Sequence, residues 1–165
     1  MKRVQGDAGV RLLECTNPVK GKWRVRWDVQ RHEDGSADYM EEEFEHRPEQ
    51  EEVKILILDW YNRKIDGAIL SGFSYEGNTV WLSAENQFNY KAAFDLAMQT
   101  GGKTLPVTIK MGLDEQPAYV KFTDMEKFTD FYTKAMAYIQ STLATGWKEK
   151  DAIDWSAYGK EDDHE

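Results

Sequence analysis

From Trp23 to Gln30 the chain reads WRVRWDVQ, so that Trp23, Val25, Trp27 and Val29 share one face of an extended segment. Lys22, Arg24, Arg26 and Asp28 share the other. Alternation of period two predicts a half-buried strand. The stretch His32–Ser36, with Asp34-Gly35 at its centre, is a turn signal, and Asp38–Glu45 can return as a second strand. Tyr39 and Phe44 do not share a face there, so a bulge or a register change is expected. Upstream, the polar, glycine-containing residues 1–9 read as a loose N-terminal arm and 10–16 as a short strand, before Pro18 and Gly21 punctuate the chain.

After Pro48 the pattern changes period. Glu49, Glu51 and Glu52 place negative charge where a helix dipole is positive, and Val53–Leu70 carries two apolar stripes at helical spacing. Gly72 ends that helix. Phe73-Ser74-Tyr75 and Thr79–Leu82 then flank Glu76-Gly77-Asn78, a tight hairpin turn. Ser83 suits the N-cap of a helix over Ala84–Thr100, with Phe88, Ala92, Ala93 and Leu96 expected on its buried face and Gly101-Gly102 closing it. Leu105–Met111 and Ala118–Phe122 read as partner strands around a loop at 112–117. Thr123 and Glu126 have capping-box spacing at the head of a helix to Trp147. Its seam of Met125, Phe128, Tyr132, Ala135, Ile139 and Thr142 reads as a core-facing stripe ahead of a self-association seam, because bulky aromatics fit a coiled-coil seam poorly.

These elements predict an α+β fold, with an N-terminal antiparallel hairpin and a small antiparallel sheet packed with about three helices. One domain is expected over 10–158. It would comprise a Trp-rich hairpin region at 10–46, a middle at 48–147 and a C-terminal docking segment at 148–158, followed by a loose acidic tail at 159–165.

Composition narrows the function. The 165 residues include 21 basic and 30 acidic ones, a net charge of −9, which opposes binding to nucleic-acid backbones and to anionic membranes. The single cysteine, Cys15, excludes an intrachain disulfide. No apolar run reaches the length of a membrane span and the N-terminus lacks a signal-peptide pattern, so a protein that neither spans a membrane nor is secreted is expected. His32, His46 and His164 show no metal-ligand spacing, and Gly101-Gly102-Lys103-Thr104 lacks the first glycine and the following helix of a phosphate loop. Glu41-Glu42-Glu43 reads as a solvated strand edge that discourages edge pairing. No residues are nominated for catalysis, a cofactor or a metal. The expectation is a non-enzymatic protein that works by contact.

Seven residues are the candidates for that contact. Trp23 and Trp27 form an aromatic strand face. Trp155 and Tyr158 are apolar anchors in a charged C-terminal stretch. Asn86, Gln87 and Asn89 open a helix with amides, either as a clamp on neighbouring backbone or as a surface for another chain.

The run Gly72-Phe73-Ser74-Tyr75-Glu76-Gly77-Asn78, then a strand, then Ser83-x-x-Asn86-Gln87-x-Asn89 opening a helix resembles a small domain of unknown function that recurs in bacteriophage tail-fibre and tail-associated proteins. The resemblance covers roughly residues 50–150. The Trp-rich front hairpin is similar to short hypothetical proteins of phages and prophages of Bacteroidetes. The resemblance implies a virion structural or assembly protein, made in the host bacterial cytoplasm, that binds other phage structural proteins and itself as a homo-oligomer. It carries over no catalytic residues. The alternatives are an acidic accessory protein that binds a host enzyme, and a head decoration or fibre protein.

Overall fold

The computed structural model describes residues 1–159, so His164 and the expected acidic tail beyond Gly159 lie outside the described residues. Among the described residues the fold is α+β, with three α-helices, a four-stranded antiparallel sheet and two two-stranded antiparallel sheets. The described residues divide into two compact units, one of Met1–Trp60 with 152–159 and one of Tyr61–Asp151. The sequence suggests a single domain over 10–158. In the structure the described residues after Ala152 group with the N-terminal sheet.

In the first unit, β1 (Lys2–Asp7), β2 (Leu13–Asn17), β3 (Lys22–Arg31) and β4 (Ser36–Phe44) form a sheet in the order β1-β4-β3-β2. The predicted hairpin is its centre. Residues 1–9 are not a loose arm: β1 pairs with β4 from Lys2 opposite Glu41 to Asp7 opposite Ser36. Main-chain bonding to β4 holds this polar strand, and backbone bonding leaves no apolar signature in sequence. The register shift lies between Trp27 and Gln30, where Asp28 takes a φ of 52°, so the bulge sits on β3 across from Tyr39.

The polar face of β3 is buried at its middle. Arg26 and Glu41 are each 5% exposed. The Arg26 guanidinium donates from Nε to Glu41 Oε2 at 2.8 Å, and from Nη1 to Glu14 Oε2 at 2.6 Å and to the Arg11 carbonyl at 2.9 Å. Glu41 is therefore not part of a solvated edge, because β4 is a central strand with neighbours on both sides.

Trp27 meets Trp60 edge-on, with centroids 6.1 Å apart; Trp60 belongs to α1 (Gln50–Ser71), whose first half is part of this unit. Glu49 caps that helix. Its carbonyl accepts from the Val53 N–H at 3.1 Å, and its own N–H donates to Glu52 Oε2 at 2.8 Å. A 3-10 helix at Trp155–Tyr158 closes the unit. The buried Tyr158 hydroxyl donates to the Arg26 carbonyl at 2.8 Å. Tyr158→Phe is expected to cost about 1 kcal/mol, the net worth of one buried hydrogen bond, read as a lower urea midpoint with an unchanged slope.

In the second unit, β5 (Phe73–Tyr75) and β6 (Asn78–Val80) form the predicted tight hairpin. Its turn places Glu76 at φ 48° and Gly77 at φ 80°, the two left-handed residues of a type I′ turn. Helix α2 (Ala84–Gln99) starts as expected, with the Ser83 hydroxyl accepting from the Asn86 N–H at 3.2 Å. It ends in a Schellman motif: the Gly102 N–H donates to the Ala97 carbonyl at 2.8 Å and the Gly101 N–H to the Met98 carbonyl at 3.2 Å. Strands β7 (Val107–Leu113) and β8 (Gln116–Phe122) pair next.

Helix α3 spans Met125–Asp151. Asp124, not Thr123, caps it, accepting from the Lys127 N–H at 2.8 Å. The helix runs past the expected end at Trp147, and Gly146 is buried within it, where a side chain would run into Ile65. Phe128, Phe131, Ala135 and Ile139 face the unit's own core with Phe122, Tyr75 and Tyr90. The stripe of α3 is therefore a core face. Tyr75 also donates its hydroxyl to Asp130 Oδ2 at 3.0 Å, and burial, reinforced by that carboxylate, pushes its phenol up to about 12.

Candidate interaction site

In the second unit, α2 and β7 flank a cleft of about 660 Å³, within the range of roughly 300–1,000 Å³ that small-ligand sites occupy. Asn86, Asn89, Tyr90 and Ala93 line it from the helix, Val107–Lys110 from the strand, and Trp81 from the link between β6 and α2. Trp81 is fixed by its indole N–H, which donates to the Gly112 carbonyl at 3.0 Å. Lys110 Nζ donates to Asp114 Oδ1 at 2.9 Å at the rim, so the two charges there offset each other. The Tyr90 phenol is buried, and that burial raises its pKa above the ordinary value. The wall thus combines apolar surface, neutral polar groups and one compensated charge pair.

The amide-rich helix start divides into two roles. Asn86 Nδ2 donates to the Trp81 carbonyl at 2.9 Å, and Gln87 Nε2 to the Leu82 carbonyl at 2.7 Å. Both satisfy backbone groups of the segment leading into α2. Asn89 is exposed at the cleft.

The aromatic candidates lie in the first unit. Trp27 is 2% exposed and Tyr158 is 4% exposed, so both are core residues. Trp23 is half-buried, with the Arg47 guanidinium 5.3 Å from its ring centroid. Trp155 is half-buried, and its carbonyl accepts from Gln50 Nε2 at 3.2 Å. Tyr158 is tied to the strand that carries Trp23 and Trp27.

Of the four α2 residues that the spacing assigns to one face, Ala93 packs inward and the other three do not. The helix's buried residues are Tyr90 and Ala97, with Ala93 and Phe94 packed against the same core. Phe88, Ala92 and Leu96 face out, Phe88 at 71% and Leu96 at 51% exposure. Almost every second residue of this helix is apolar, so periodicity alone does not choose between its faces. The aromatic cluster of Tyr90 on Phe131 and Phe94 on Tyr132 makes the choice.

Among the described residues there is no group of three or more His, Cys, Asp or Glu placed to hold a metal ion, and no helix long and apolar enough to cross a membrane. Comparison with protein-family models, curated proteins and solved structures finds no match to the chain.

Proposed function

We propose that the protein works by binding other proteins, as a structural or assembly component of a bacteriophage particle in the tail or its fibre attachment. The observation that carries the binding role is the outward face of α2. Phe88, Ala92 and Leu96 are spaced four apart and so form one stripe along the helix. A lone exposed apolar residue has no meaning, but a contiguous patch marks a contact surface. The phage setting is supported by the resemblance over residues 50–150. Other phage structural proteins and further copies of the chain are the partners.

The test is a double substitution, Phe88→Asp with Leu96→Asp. Both positions are exposed, so the stability is expected to stay within about 0.5 kcal/mol of the parent. Light scattering is expected to show a defined oligomer for the parent and a smaller species for the variant. A parent that is monomeric at all concentrations, or a variant that assembles like it, contradicts the reading.

A further inference from the structure

The hydrogen-bonding phase of β7 can be worked out from its partner. Gly112 is paired with Pro117, which has no N–H to give. The Gly112 carbonyl instead accepts from the Trp81 indole. Gly112 therefore directs its main-chain groups away from β8. In an antiparallel pair this direction alternates, so Lys110 and Thr108 also present N–H and C=O outward. β7 and β8 form a sheet of two, and no strand ladder covers this side of β7 among the described residues. The same stretch, Val107–Lys110, lines the 660 Å³ cleft. The cleft therefore follows the outer edge of β7 at 107–110, while β6 lies close to the same strand without forming a ladder with it.

The two edges of this small sheet are treated differently. On β8 the outward positions include Pro117 and Lys121, which blunt that edge against pairing. On β7 the outward positions are Thr108, a lysine already engaged by Asp114, and Gly112, whose carbonyl is taken by Trp81. Recognition by strand addition draws its affinity from main-chain bonds and its specificity from alternate side-chain pockets.

We propose that the cleft takes an extended peptide segment of a partner protein, added as a strand to the open edge of β7 at Thr108 and Lys110. Apolar side chains of that segment, of valine or isoleucine size, would lie toward Tyr90, Ala93 and Val107. The alternate, uncharged polar ones would face solvent and reach Asn89. This rests on the reading that the protein acts through protein contacts, and it uses a surface other than the α2 stripe.

The probe is a capped peptide of alternating serine and valine, added at millimolar concentration to the full-length, isotope-labelled protein. The expected result is amide shifts at Thr108 and Lys110, a shift of the Asn89 side-chain amide, and slowed amide exchange at the two strand positions. Thr108→Pro removes only the outward N–H and leaves the β7–β8 ladder intact, so the variant should fold and bind at least about tenfold more weakly. Thr108→Ala keeps the main chain and should bind like the parent. No shift at Thr108 and Lys110, slow exchange there before peptide is added, or full binding by a folded Thr108→Pro overturns the proposal. If Thr108→Pro fails to fold, the peptide shifts on the parent decide alone. Loss of assembly on substitution of Phe88 and Leu96, without peptide binding here, would leave the function standing and remove only strand addition.

Discussion

Arg26→Met is expected to lower the stability of the protein by about 3 kcal/mol, which for a chain of this size is a fall in melting temperature on the order of 10 °C. The loss comes less from the missing attraction than from what remains. Glu41 is 5% exposed and would lose its closest cation in the middle of the sheet, with Arg24 Nε, at 3.7 Å from Oε1, as the remaining one. The Arg11 carbonyl would also lose its donor, and Glu14 would lose its partner. Adding Glu41→Leu to Arg26→Met should restore much of the loss, since an apolar pair needs no desolvation of charge. Guanidinium denaturation of the single and double variants measures both. A single variant within about 0.5 kcal/mol of the parent would mean that water reaches this pair.

Phe131→Ala is expected to cost about 3–5 kcal/mol. Phe131 is fully buried, and its ring meets Tyr75 at 5.2 Å, Tyr90 at 5.5 Å and Phe122 at 5.1 Å between centroids. Removing it takes away buried area and the edge-on contacts with both tyrosines, and leaves a cavity walled by rings that cannot collapse freely. Phe88→Ala, by contrast, should change stability by no more than about 0.5 kcal/mol, because that ring is 71% exposed. Two phenylalanines of similar sequence context thus separate by several kcal/mol in a thermal melt, and only the exposed one should affect assembly.

Much of the fold is legible in the sequence wherever one local rule dominates. The Trp23–Gln30 alternation, the Glu76-Gly77 turn, the Ser83 cap and the double-glycine stop after α2 each rest on a single short-range cause. Errors arise where two causes compete. Thr123 and Asp124 both suit an N-cap, and the choice depends on where the last residue of β8 leaves the chain. Residues 1–7 have little apolar content, and what makes them a strand is the unpaired side of β4, a long-range fact. Arg26 sits on the polar face of an alternating strand and looks solvated until β2 and β4 bring Glu14 and Glu41 to it.

The candidate site is legible only in part. Asn86, Gln87 and Asn89 stand out by composition, and Asn86 and Asn89 do line the cleft. The tryptophans drew attention by size alone, and size is also what a core needs, which is where Trp27 went. The open edge of β7 was readable in principle from Pro117, since a proline in a two-stranded hairpin fixes which carbonyls across from it turn outward. Using that signal requires the register, which the Gly112–Pro117 pairing supplies.

The central proposal, that the chain is a component of a phage particle and works there by contact, is tested most directly by a mass-spectrometric inventory of virus-like particles purified from cells that make the chain. The account predicts peptides of this chain in the particle at a stoichiometry fixed against the other structural proteins. Particles lacking it, from cells in which it is abundantly made, would contradict the account.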